Sequence, residues 1–153
     1  GVSQPEGDIH EWIGQTVFNG KKTRDEVKKK VFAWLYNPKA SNKKLESVFK
    51  RTDTLEEYYH DGCVHTPFGR KIKTTDHKAL NYLIQSTTSD IVMEQAIKLD
   101  KVLEDCKSRI AFIIHDEIVL DVHPDEEHRV DEFKDIFANT RYGKFMVGSK
   151  NGI

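Results

Sequence analysis

Apolar positions recur along this chain at helical spacing in some stretches and crowd into short β-rich runs in others. Val27, Val31, Trp34 and Leu35 fall on one face of a predicted helix. Thr23-Arg24-Asp25-Glu26 stands before them in the form of a capping box, in which Thr23 and Glu26 satisfy each other's first-turn amides. Asn37-Pro38 ends the run, because proline cannot continue a helix. A second helix is predicted over residues 43 to about 50. Between residues 52 and 73 only a short hairpin is legible, Cys63-Val64-His65-Thr66 followed by Phe68-Gly69-Arg70-Lys71-Ile72. The longest periodic segment covers residues 77–106, with Ile84, Thr88, Ile91, Ala96, Leu99, Val102, Leu103 and Cys106 on its expected apolar face. Two β-rich runs, 109–114 and 118–122, then flank the polar triplet His115-Asp116-Glu117 as a hairpin. A helix over 124 to about 139 and a last strand over 144–147, added to the same sheet, complete the pattern. This order predicts an α+β fold with an antiparallel sheet covered on one face.

Composition adds few constraints. A chain of 153 residues can bury a sizeable core by itself, and 37% hydrophobic with 32% charged residues excludes wholesale disorder. The longest apolar run, residues 110–114, falls far short of the roughly 20 residues a membrane span requires. Residues 1–8 lack a basic segment followed by an apolar one, so no secretory signal is expected, nor any membrane partner, and the expected setting is cytoplasmic. Cys63 and Cys106 share no CxxC spacing and predict neither a disulfide framework nor a zinc site.

Charge is more informative. The net charge of -1 conceals ten basic residues against three acidic ones over residues 21–50, and nine acidic against two basic over 116–135. The first stretch is suited to a polyanion and the second to a cation, although solvated helix faces give the same asymmetry.

Three constellations carry chemistry. His115-Asp116-Glu117 puts two carboxylates and an imidazole at the tip of an otherwise apolar hairpin, which suits a bound cation or a plain acidic turn. Arg24, Lys28, Phe32 and Tyr36 follow one another at four-residue spacing, two cations for phosphates and two rings for a base or sugar. Asn81 and Gln85 share a face of the long helix. Both can donate to the acceptors that every base pair presents in the minor groove.

In this order, the constellations resemble family A DNA polymerases. Asp8-Ile9-His10 is similar to the family's DIH segment, the Arg24 to Tyr36 series to its fingers helix, and Gly69-Arg70-Lys71 to the Gly-Arg-basic turn beyond it. The helix bearing Asn81 and Gln85 and the His115-Asp116-Glu117 turn match further family motifs. The resemblance implies a right-hand polymerase fold, with helical fingers over residues 1–74 and an antiparallel-sheet palm portion over 75–153. It implies that Asp116 holds catalytic Mg²⁺, with Glu117 a secondary carboxylate and His115 at the primer strand. Arg24, Lys28 and His10 would clamp the dNTP triphosphate, with Lys28 also protonating the leaving pyrophosphate. Phe32 and Tyr36 would pack on the nucleotide and template base, and a Phe at position 32 implies discrimination against dideoxynucleotides. Arg70, Asn81 and Gln85 would hold the primer-template DNA.

The sequence departs from that pattern in ways that shape the expectation. The family's other metal-binding Asp lies on a palm strand upstream of the DIH segment, and residues 1–7 contain no equivalent. Thumb, upstream palm and exonuclease domain are missing too, so the chain alone is expected to be inactive. A second polypeptide carrying the upstream Asp and thumb is the expected partner, as in a naturally split polymerase, with the host cytoplasm as its setting if viral. Asn37 stands where the family has Gly, and a left-handed helix exit is expected there because Asn tolerates that conformation. The segment 38–62 implies abbreviated fingers, and both ends are expected to be truncated. The alternative function is a noncatalytic DNA-binding or structural module derived from a polymerase.

Overall fold

The structure is a computed structural model; it describes Pro5 and residues 7–150. It is mixed helix and antiparallel strand, an α+β fold. Two compact units divide it, Gly1–Ser86 and Thr87–Ile153.

The first unit opens with α1 (Ile9–Thr16) and α2 (Arg24–Tyr36). The capping box forms as read: Thr23 Oγ1 accepts from Glu26 N at 3.4 Å, and Glu26 Oε2 accepts from Thr23 N at 2.9 Å. Val27, Val31 and Trp34 are buried against Ile13 of α1, Val17 just after it, and Leu45 of α3 (Lys43–Phe49). The exit of α2 differs from expectation. Asn37 is extended, with φ -104° and ψ 106°, rather than left-handed, which is the conformation that a following proline imposes. Left-handed geometry falls instead on Lys50 (φ 47°), at once the last cap of α3 and the first of α4 (Arg51–Tyr58).

Helix α4 has no fully buried residue and no clean apolar period, so the sequence pattern did not predict it. It leads into a three-stranded antiparallel sheet of β1 (Tyr59–His60), β2 (Cys63–His65) and β3 (Lys71–Lys73). The expected hairpin is the β2–β3 pair, in register Val64↔Ile72.

Helix α5 (Asp76–Leu103) is the long helix, but its buried face is not the expected one at the start. Ala79, Leu80 and Leu83 are buried with Val64, whereas Ile84 and Thr88 are exposed. Val92, Gln95, Ala96, Leu99 and Leu103 then form the buried stripe of the second unit.

In that second unit β4 (Arg109–Ile114) and β5 (Glu117–Asp121) pair as an antiparallel hairpin, with a register shift between Ile110 and Phe112. Ile110 and Leu120 pack on Leu99, Leu103, Cys106 and Phe133, so one face of the hairpin meets α5 and α6 (Val130–Ala138). A 3₁₀ turn, Pro124–Arg129, precedes α6 where one continuous helix was expected. The final strand is also corrected. β7 (Gly143–Lys144) pairs with β6 (Asn139–Thr140) in a separate two-stranded ladder, not with β4–β5. Among the described residues, no helix is long and apolar enough to cross a membrane.

Candidate functional site

The apolar stripe of α2 is buried, so the Arg24, Lys28, Phe32, Tyr36 series stands on its solvent side. Phe32 and Tyr36 are 41% and 38% exposed, although rings of that size gain free energy when buried. Their centroids are 6.0 Å apart and tilted. Lys28 Nζ lies 5.8 Å from the centre of the Phe32 ring, within reach of its negative face. From α1, His10 meets Phe32 edge-on at 5.8 Å. His10 Nδ1 is buried and has no hydrogen-bond partner among the described residues.

Arg24 is held by Asp8. Its Nε and one terminal nitrogen donate to Asp8 Oδ2 at 2.9 and 2.7 Å. Asp8 Oδ1 caps α1, accepting from His10 N at 2.8 Å and Glu11 N at 3.1 Å. The Arg24 hydrogen bonds, above all, with help from the two amides, hold the Asp8 carboxyl down to about 2 against the cost of its desolvation. The structure thus brings His10, Arg24, Lys28, Phe32 and Tyr36 together on one surface. Its cations suit a string of phosphates, and its exposed rings suit a flat base.

Arg70 follows a tight turn in which Gly69 takes the left-handed conformation (φ +81°). Thr66 N donates to Arg70 O at 2.9 Å and Arg70 N to Thr66 Oγ1 at 3.1 Å, fixing the backbone on which the guanidinium is carried. Asn81, half-buried, and Gln85, exposed, lie one turn apart on α5.

The hairpin turn is tighter than the polar triplet suggested. Ile114 pairs with Glu117, so His115 and Asp116 alone make the loop. His115 has φ +53°, a left-handed conformation that costs a side-chain-bearing residue on the order of 1–2 kcal/mol. Positive φ of this kind is ordinary in a two-residue hairpin loop, and Asn19, Lys50 and Asp61 share it. Asp116 and Glu117 are both exposed and are oxygen donors of the kind Mg²⁺ takes. They do not complete a donor set. Among the described residues, no group of three or more His, Cys, Asp and Glu side chains is placed to hold a metal ion.

Two buried polar devices escaped sequence reading. Arg51 lies over the Trp34 ring at 4.7 Å and donates to the carbonyls of Trp34, Asn37 and Ala40, closing the end of α2. Gln95, 1% exposed, donates to three carbonyls at the end of α6. The role of Asp8 had a readable signal, since an Asp three residues before a Glu has N-cap spacing.

The sequence of residues 42–147 matches the family model described as DNA polymerase family A. The chain belongs to this family. The matched range contains Arg70, Asn81, Gln85 and the His115-Asp116-Glu117 turn, while α1 and α2 precede it. The chain is also similar to the DNA polymerase I of Mycobacterium bovis (strain ATCC BAA-935 / AF2122/97) and to those of Mycobacterium tuberculosis strains CDC 1551 / Oshkosh and ATCC 25618 / H37Rv. Each is 25% identical over 114 residues, covering 60% of this chain and 13% of the relative. As a family A polymerase sequence, then, it spans a small part of the length of these relatives.

Proposed function

We propose that this chain supplies the nucleotide-binding face and part of the metal site, Asp116 with Glu117, of a template-directed DNA polymerase. The observation that carries this reading is the convergence of His10, Arg24, Lys28, Phe32 and Tyr36 from two helices onto one exposed surface. Arg24, Lys28 and His10 bind the triphosphate of an incoming dNTP, and Lys28 is the proton donor to the departing pyrophosphate. Phe32 and Tyr36 stack on the nucleotide and the template base. Arg70, Asn81, Gln85 and His115 contact primer-template DNA, the two amide side chains through minor-groove acceptors common to all base pairs. In this division residues 1–74 act as fingers and 75–153 as palm.

Because the hairpin carboxylates do not make a donor set by themselves, Mg²⁺ requires at least one further carboxylate from outside these residues, upstream in the same polypeptide or on a second one with the thumb. Asp116 and Glu117, with that carboxylate, would hold Mg²⁺, which would activate the primer hydroxyl and neutralise charge on the phosphates.

Primer extension with Mg²⁺ tests the proposal, using the chain with and without the upstream polymerase sequence. Extension only by the joined protein, abolished by Asp116→Ala, is expected. The second reading is a noncatalytic DNA-binding module derived from a polymerase. Duplex binding by a joined protein that never extends a primer would establish it.

A further inference from the structure

The carboxylate of Asp8 is shared between two helices that approach the nucleotide-binding surface from different parts of the chain. One oxygen accepts the amides of His10 and Glu11 at the start of α1, and the other accepts Nε and a terminal nitrogen of Arg24, the first residue of α2. The backbone of His10 and the guanidinium of Arg24 are therefore referenced to one group. A guanidinium offers five N–H donors in a rigid fork. Asp8 takes those along one edge, leaving the opposite nitrogen, 3.8 Å from Asp25, directed elsewhere. The side chain of Arg24 is 47% exposed, so it is presented to solvent while its orientation is fixed.

An exposed cation that awaits an anion gains nothing from a bound carboxylate unless the carboxylate sets its geometry. Coulomb attraction alone argues against a negative charge beside a phosphate site. A long, flexible arginine that must meet one phosphate of a chain, while Lys28 and His10 meet the others, gains from being oriented before the ligand arrives.

We propose that Asp8 is a positioning residue for triphosphate binding, holding Arg24 and His10 in one frame so that they engage the same anion. The inference rests on the nucleotide-binding reading of the α2 face. Asp8 touches no substrate in this role; it acts through Arg24.

The full chain is titrated calorimetrically with inorganic tripolyphosphate in parallel with five variants. Lys28→Ala tests the underlying reading and is expected to weaken binding about tenfold, the equivalent of one charge-assisted hydrogen bond. Asp8→Asn keeps an oxygen to cap α1 but turns an N–H toward Arg24, and it too is expected to lose roughly tenfold. Asp8→Glu restores part of that loss. Arg24→Lys keeps the charge but cannot be held by a fork, so it carries the same test if Asp8→Asn does not fold. The double variant Asp8→Asn/Arg24→Lys is expected to bind no worse than either single one, because both act on one interaction. A staple that only holds the fold together would lower the Tm of these variants and leave tripolyphosphate binding by the folded protein unchanged. If Lys28→Ala weakens binding while Asp8→Asn binds as well or more tightly, or if the Asp8→Asn and Arg24→Lys losses simply add, the positioning role is wrong and the nucleotide-binding face stands. If the parent chain does not bind tripolyphosphate, or Lys28→Ala leaves binding unchanged, the underlying reading fails and this inference falls with it.

Discussion

Replacing Gln95 with leucine isolates a buried polar contact that closes the last turn of α6. The final carbonyls of a helix lack intrahelical donors and must be satisfied otherwise. Here Asp135 O takes the amide of Asn139, Ala138 O takes the amide of Phe145 at 3.0 Å, and the carbonyls of Ile136, Phe137 and Asn139 lie 2.9, 3.0 and 2.7 Å from Gln95 Nε2. Two N–H bonds serve these three acceptors, and Oε1 in turn accepts from Lys98 Nζ at 2.7 Å. Gln95→Leu keeps the approximate volume and deprives about two carbonyls of a donor inside the core. At about 1–3 kcal/mol for each unsatisfied buried group, offset in part by the added apolar contact, the net loss is about 2–3 kcal/mol. Tryptophan fluorescence is a poor reporter, since Trp12 and Trp34 both lie in the first unit. Amide hydrogen exchange read along α6 is the suitable assay, with an expected fall in protection of roughly 30- to 150-fold. Lys98→Ala, which removes only the outer donor, should change protection little. Unchanged or greater protection in Gln95→Leu would show that these carbonyls find water or other donors, and the argument from burial would be refuted.

Two further perturbations read other parts of the second unit. His115→Gly removes the left-handed strain of the β4–β5 turn, so urea denaturation should show a gain of about 1 kcal/mol, and a loss would mean that the His115 side chain contributes more than its backbone costs. Glu126 accepts from Ser108 Oγ and the amides of Lys107 and Ser108, and these bonds, with the Ser108 hydroxyl foremost, hold its carboxyl down to about 2 from 4.5. A depressed carboxylate stabilises fully above its unfolded value and loses that contribution as pH falls through the folded one. Between pH 4.5 and about 2 the Tm of the parent should therefore fall more steeply than that of Glu126→Gln, and parallel curves would contradict the assignment.

Much of this architecture is written locally. The capping box at Thr23, the proline after Asn37, and the apolar runs around His115-Asp116-Glu117 name their elements without reference to the rest of the chain. What escaped prediction depends on tertiary packing. Helix α4 buries no residue completely and so leaves no periodic trace. In α5 the apolar Ile84 is exposed and the polar Gln95 is buried, because Gln95 finds its partners more than forty residues away, at the end of α6. The candidate site divides in the same manner. Four-residue spacing revealed the α2 series, but nothing in that spacing shows that Arg24 is gripped by a carboxylate sixteen residues earlier. Likewise, the polar triplet was visible as a turn, whereas the left-handed backbone of His115 follows only from the Ile114↔Glu117 register.

Arg51 has a mechanical consequence. Its guanidinium bolts the tail of α2 to the first residue of α4, and Lys50 joins α3 to α4 with no intervening linker. The helix bearing the Phe32 and Tyr36 rings is thereby tied to α4 at its C-terminal end. A swing of that helix would carry α3 and α4 with it, so a substitution at Arg51 should alter how stiffly the surface is held.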